Sequence, residues 1–189
     1  SGFGVSGDAD VTGTVTGGAS GYRLEWGTGT DPVLWTLIRQ ERPTGRLQML
    51  GRWVVSGLPD SVYTLRLTLQ GGSGAEGRAV VRLDRTPPVF RWFRVTARLD
   101  SARTRFFAEW ETDDRTFAAL HVRSQGLPDA VLDSPYITRQ HALALPDGLP
   151  EGTTTVHLVA RNVSGLSAQS SDTSFSLLGE FLSSFGLSK

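Results

Sequence analysis

Gly57-Leu58-Pro59-Asp60-Ser61-Val62-Tyr63-Thr64-Leu65-Arg66-Leu67 returns 91 positions later, without a gap, as Gly148-Leu149-Pro150-Glu151-Gly152-Thr153-Thr154-Thr155-Val156-His157-Leu158. Each copy opens on a Gly-Leu-Pro turn and runs into a stretch where apolar and polar residues alternate. Period-two alternation puts one set of side chains on one face of a strand, so each copy reads as a strand with one buried face. The register continues, and Ser73-Gly74 falls on Ser164-Gly165. A repeat of this length matches one β-sandwich module.

Asp84-Arg85-Thr86-Pro87-Pro88 lies between the copies. Adjacent prolines lack the N–H groups a central strand needs and hold the chain extended, so the boundary is placed here. The expected division is residues 1–86, residues 87–177 and an apolar tail, 178–189. In the first module strands are read at Val11 to Val15, Tyr22 to Trp26, Leu34 to Ile38, Leu47 to Val55, Tyr63 to Leu69 and Arg78 to Leu83. In the second they are read at Phe90 to Leu99, Thr104 to Trp110, Phe117 to Arg123, Tyr136 to Leu145, Thr154 to Arg161 and Ser170 to Leu177. No segment before residue 176 has a helical period, and the expected class is all-β, two antiparallel sandwiches in tandem.

Composition agrees. The 189 residues include 22 glycines and nine prolines, and 39% are hydrophobic, enough for two modest cores with many turns. Nineteen basic and 19 acidic residues cancel, so no global field favours nucleic acid or an anionic membrane. Lys189 is the only lysine. Arg82, Arg85, Arg91, Arg94, Arg98, Arg103 and Arg105 crowd one stretch, and are read as strand positions balanced by nearby acids rather than as a phosphate site. With no cysteine, disulfides, thiolate metal sites and cysteine nucleophiles are excluded. No apolar run reaches the length of a membrane helix. No stretch reads as a signal peptide, and the modules are expected to be a segment of a larger protein.

Leu58-Pro59 followed by Tyr63 resembles the tyrosine corner of fibronectin type III and related sandwiches. The first module, through Tyr22-Arg23-Leu24-Glu25-Trp26-Gly27-Thr28-Gly29 and Trp35-Thr36-Leu37-Ile38, is similar to bacterial immunoglobulin-like repeats of large secreted and cell-surface proteins. In the second, Glu109-Trp110-Glu111 resembles the second-strand tryptophan of fibronectin type III, and Val159 to Gly165 its sixth strand and following loop. Thr154 departs from the pattern, standing where the corner tyrosine is expected. The resemblance covers residues 11 to 177. It implies a secreted, cell-surface or periplasmic bacterial protein whose modules act as spacers or binding platforms.

Candidate chemistry is sparse. His121, His141 and His157 show no HExxH or i,i+4 spacing, and His157 should face solvent, opposite Val156 and Leu158. No GxSxG elbow or phosphate loop occurs. Trp26, Trp53 and Trp110 are assigned to cores. Trp35 and Trp92 are either buried or form a sugar-stacking platform. In this topology the loops after the second and sixth strands bring Glu111, Asp113, Asp114 and Asn162 towards Asp84, an oxygen set that suits Ca²⁺, with ion pairing to Arg85, Arg115 and Arg161 as the competing reading. Asn162-Val163-Ser164 is formally a glycosylation sequon, read as an ordinary loop. Leu178, Phe181, Leu182 and Phe185 recur at helical spacing and are candidate partner contacts.

The expectation is therefore a non-catalytic spacer or assembly subunit contacting other protein subunits, with no cofactor. An adhesion or carbohydrate-binding module attached to a secreted enzyme is the alternative.

Overall fold

A computed structural model describes residues 3–15, 18–43, 47–71, 74–100 and 103–177. The chain divides into two compact units, Ser1–Thr86 and Pro87–Lys189. Every described element is a strand.

The first unit contains β1 (Phe3–Val5), β2 (Ala9–Gly13), β3 (Gly21–Thr28), β4 (Thr36–Glu41), β5 (Gln48–Trp53), β6 (Ser61–Gln70) and β7 (Glu76–Leu83). One sheet has the order β1-β7-β6-β3-β4, and β2 pairs with β5 in the other. β1 runs parallel to β7, while the remaining pairs are antiparallel. The alternation at Tyr22, Leu24 and Trp26 faces inward as read: Tyr22 and Leu24 are buried, and Trp26 packs against the core from its margin. Two buried clusters fill the sandwich, one around Trp53, Val55, Tyr63, Val81 and Leu83, the other around Val15, Tyr22, Leu24 and Leu50. Val11 and Ile38 touch both and join them into one core.

Tyr63 sits between Trp26 and Trp53, edge to face with each at 5.6 and 5.4 Å. Its hydroxyl donates to the Pro59 carbonyl at 2.7 Å, closing the corner that the sequence suggested. Gly57 and its counterpart Gly148 both take left-handed backbone, φ +83° and +75°. The aligned pair Gly74 and Gly165 do so as well. The repeat therefore conserves turn geometry where the side chains have diverged, since glycine alone adopts this region without strain. Tyr63→Phe removes one hydrogen bond from an exposed carbonyl that water can reach. It is expected to cost about 1 kcal/mol, read as a lowered melting temperature of the first unit.

The second unit is built on one long strand. It contains β8 (Phe90–Asp100), β9 (Arg103–Ser124), β10 (Ala130–Asp133), β11 (Thr138–Ala144), β12 (Gly152–Asn162), β13 (Ser167–Gln169) and β14 (Thr173–Leu177). The two strands expected at Thr104 to Trp110 and Phe117 to Arg123 are continuous in β9. Its first half pairs with β8 and β11, and its second half with β10 and β12. All seven strands of this unit thus belong to one hydrogen-bonded sheet, held together through β9. β12 pairs further with β13 and β14. The sequence reading did not find β1, β10 or β13, and began the last strand at Ser170 where β14 begins at Thr173. β4 starts at Thr36 rather than Leu34, because Val33 and Leu34 form a bend.

The core of this unit is Ala108, Trp110, Leu120, Val122, Leu145, Val156, Leu158 and Ala160, with Phe106 and Phe175 stacked at its edge. At the corner position Thr154 is fully buried and its hydroxyl bonds Ser124 Oγ at 2.7 Å. A side chain-to-side chain bond between β12 and β9 replaces the tyrosine-to-carbonyl bond of the first unit.

Candidate functional site

The residues singled out for calcium are each bonded within their own unit. Asp84 is buried, its amide donates to the Val5 carbonyl, and its Oδ1 accepts from the Thr86 amide at 3.0 Å. Arg85 clasps the same end of the first unit. Its guanidinium reaches Asp60 Oδ1 at 2.6 Å and the Leu58 and Val55 carbonyls at 3.0 and 2.8 Å, while its amide donates to Asp60 Oδ2. These contacts hold the Asp60 carboxyl below the usual aspartate range, the Arg85 amide being the largest cause. Asp84 to Thr86 thus belong structurally to the first unit, tied back onto the Gly57 to Asp60 turn. This clasp was missed from sequence, although an arginine two residues before Pro87 and an aspartate in the repeat turn were both visible.

In the second unit Asn162 pairs across the ladder with Thr116, so the β9 bend and the β12–β13 loop lie at one end of the sandwich. Asn162 Oδ1 accepts from the amides of Ser164 and Leu166, and at 2% exposure the sequon asparagine is a buried loop brace. Asp113 and Val89 exchange two bonds, amide to carbonyl at 3.0 Å and Val89 amide to Asp113 Oδ1 at 2.7 Å. Glu111 Oε2 accepts from Trp92 Nε1 and Gln140 Nε2, both at 3.2 Å. Asp114 Oδ1 accepts from the Arg115 amide, and its buried Oδ2 has no hydrogen-bond partner. Among the described residues no three acidic or imidazole side chains converge as a cation cage. Carboxylates that terminate loop amides have fewer lone pairs left for a cation that wants six to eight oxygens. Leu178, Phe181, Leu182 and Phe185 lie outside the described residues.

The arginine-rich stretch is paired with acids. Arg82 faces Asp84, Arg91 faces Glu111 and Arg105 faces Asp147 at 3.6 to 4.0 Å. Arg94 and Arg98 both grip Glu109, which is 7% exposed. Their guanidinium groups also lie over Trp92 and Phe107 respectively. The first unit repeats this chemistry on other strands. Glu25 is held by Arg23 at 2.8 Å and Arg66 at 2.7 Å, and Arg66 stacks 3.8 Å over Trp35. Trp35 and Trp92 therefore spend ring area on arginine, each beside a shielded glutamate. Trp92 remains 39% exposed.

His141 is buried at 5% exposure, stacked on Trp110 at 4.9 Å with rings 7° from parallel. Thr116 Oγ1 contacts its Nε2 at 3.1 Å and Ser134 Oγ its Nδ1 at 2.8 Å. Burial lowers its pKa below the ordinary 6.5. Above 6.5 both folded and unfolded chains carry a neutral ring. As pH falls below 6.5 the unfolded chain takes up a proton that the folded one refuses, so stability is lost in that direction until the folded pKa is reached. The melting temperature of the second unit is expected to fall on acidification from about pH 7 to about 5, and His141→Asn to flatten that part of the profile.

His157 lies on the face opposite Val156 and Leu158, as read, but is less open to solvent than expected. It is half-buried and stacked against His121, directly opposite on β9. Spacing along the chain could not show this, because the two histidines meet only through strand pairing.

No protein-family model and no curated protein sequence matches the chain. Among solved structures it is similar to the FN1–FN3 domains of chicken CNTN1, with TM-score 0.51 and 14% identity over 93% of this chain and 62% of that one. Two others are a tetra-tandem repeat from the extending region of a large adhesion protein (TM-score 0.41, 14% identity, 90% and 44% covered) and the chicken interferon gamma receptor alpha chain (0.33, 10%, 89% and 96%). The chain spans less than two thirds of the CNTN1 fragment. At 14% identity that likeness speaks for the fold, which is two fibronectin type III and immunoglobulin-like sandwiches in tandem.

Proposed function

We propose that the two sandwiches are non-catalytic structural and interaction modules, a spacer or assembly subunit of a bacterial extracellular or cell-envelope protein. The observation that carries the reading is that each unit closes on its own core and uses its charged and aromatic surface groups internally. Glu25, Asp60, Glu109 and Glu111 all face arginines, and the ring faces of Trp35 and Trp92 are partnered by guanidinium groups. Such pairing makes a stiff, sheet-faced module, in which these acidic and aromatic side chains are committed to the fold. The bacterial surface setting rests on the resemblance of Tyr22 to Gly29 and Trp35 to Ile38 to repeats of that kind. Partner contact through Leu178, Phe181, Leu182 and Phe185 belongs to the same reading.

The test is replacement in the parent protein in its native host. Exchanging residues 1–177 for an unrelated fibronectin type III pair of equal length should preserve assembly, whereas truncation after residue 177 should abolish it. Assembly lost on the exchange would instead place a specific contact on the sandwiches. The same loop chemistry predicts that a chelator-stripped chain melts at one temperature with and without millimolar calcium. A calcium-dependent rise would instead favour the calcium reading over ion pairing.

Carbohydrate binding is the second reading, favoured by the exposed part of Trp92. Tryptophan fluorescence that shifts saturably on adding a glycan, and does not in Trp92→Ala, would establish it.

A further inference from the structure

His121 on β9 and His157 on β12 occupy directly opposed positions of an antiparallel ladder. Their rings are parallel within 8°, with centroids 4.5 Å apart. Asp172, which immediately precedes β14, extends the row to a third strand, its Oδ1 lying 3.4 Å from His157 Nδ1. The three side chains, together with Asp129, Arg123 and Thr155, line a pocket of about 50 Å³ on the face of the second unit. Two half-buried imidazoles in contact, a carboxylate behind one of them and room for a small ion form a combination that packing alone does not require.

The carboxylate lies 3.4 Å from His157 Nδ1. Facing Nδ1, it favours the proton there and leaves the Nε2 lone pair available, the arrangement by which carboxylates orient metal-binding histidines. Neutral imidazole nitrogens suit late first-row cations. Rotation about Cβ–Cγ of histidine is a broad, soft torsion, so a small turn of each ring converts a parallel stack into a convergent pair. We propose that His121 and His157 chelate Zn²⁺ or Cu²⁺ through their Nε2 atoms across the β9–β12 ladder, with Asp172 positioning His157. Asp129, held by Arg123 at 3.2 Å, lies within the same pocket and leaves the remaining positions to water. Because no three ligating groups already converge among the described residues, this is a two-nitrogen chelate and not a closed structural cage. A cation here staples two central strands and stabilises the second unit by binding only its folded form.

The experiment uses the tag-free chain titrated with Zn²⁺ alone and Cu²⁺ alone, followed by calorimetry and by histidine ring resonances. One equivalent should bind, shift the rings of His121 and His157 but not of His141, and raise the melting temperature of the second unit. His121→Gln and His157→Gln should each abolish the melting shift, and Asp172→Asn, at an exposed position, should weaken binding by about 10- to 100-fold. Absence of saturable binding by either cation overturns the proposal. So does binding that survives either histidine substitution unchanged, or an Asp172→Asn chain that binds as tightly as the parent.

Discussion

Trp110→Ala is expected to destabilise the second unit by about 3–5 kcal/mol, as for buried tryptophan and phenylalanine truncations elsewhere. Trp110 is fully buried, the largest side chain of its cluster, and stacked on His141. Its removal opens a cavity in the Ala108, Leu120, Val156 and Leu158 cluster and leaves the His141 ring without its partner face. A domain of this size has roughly 5–15 kcal/mol of total stability, so about a fifth or more is lost. Calorimetry should show the transition of residues 87–177 shifted down by well over about 10 °C, with that of residues 1–86 in place. Trp53→Ala should do the reverse. If either substitution moved both transitions together, the two clusters would be one cooperative core. Trp110→Phe provides a finer check. The indole Nε1 is buried without a hydrogen-bond partner, so phenylalanine discards volume and also removes an unsatisfied donor, and it should cost much less than alanine.

The sheet pattern was legible because it rests on local rules. Alternation at Tyr22 to Trp26 and at Val156 to Ala160 marks inward faces, and a sandwich needs little more than that for its class to be read. The Gly57 and Gly148 turns were legible for the same reason. The short strands were not. Phe3–Val5 owes its place to parallel pairing with β7, and Ala130–Asp133 to the second half of β9, so neither carries a pattern long enough to read alone. The site-level failures have one physical cause. His121 and His157 are 36 residues apart in sequence and touching in space, and Arg85 clasps Asp60 across 25 residues. Register decides such meetings, and register cannot be read from either strand by itself. Opposite-charge counting predicted that the arginines would be balanced, yet could not say that Glu25 and Glu109 would be the shielded centres.

Glu25 carries the other large effect. It is 3% exposed, with Arg23 on one oxygen and Arg66 on the other, and Arg66 is itself only one-fifth exposed, lying over Trp35. Removing one partner of a shielded pair leaves a charge without compensation, which costs about 3–5 kcal/mol in well-buried cases. Arg66 keeps a longer contact to Glu76 at 3.8 Å and some water, so Glu25→Ala should fall at the lower end, about 3 kcal/mol, in the first unit only. Net stabilisation by the pair is a separate quantity, because both ions were desolvated to form it. Glu25→Ala with Arg66→Met removes the two charges and retains most of the packing over Trp35. That double variant should recover most of the loss, and the coupling between the two sites should exceed about 1 kcal/mol in a thermodynamic cycle. Single and double variants equally destabilised would mean that Glu25 acts through its packing on β3 and β6 rather than through its charge. Recovery in the double variant would show that the glutamate is retained to neutralise the arginines gathered around the tryptophan.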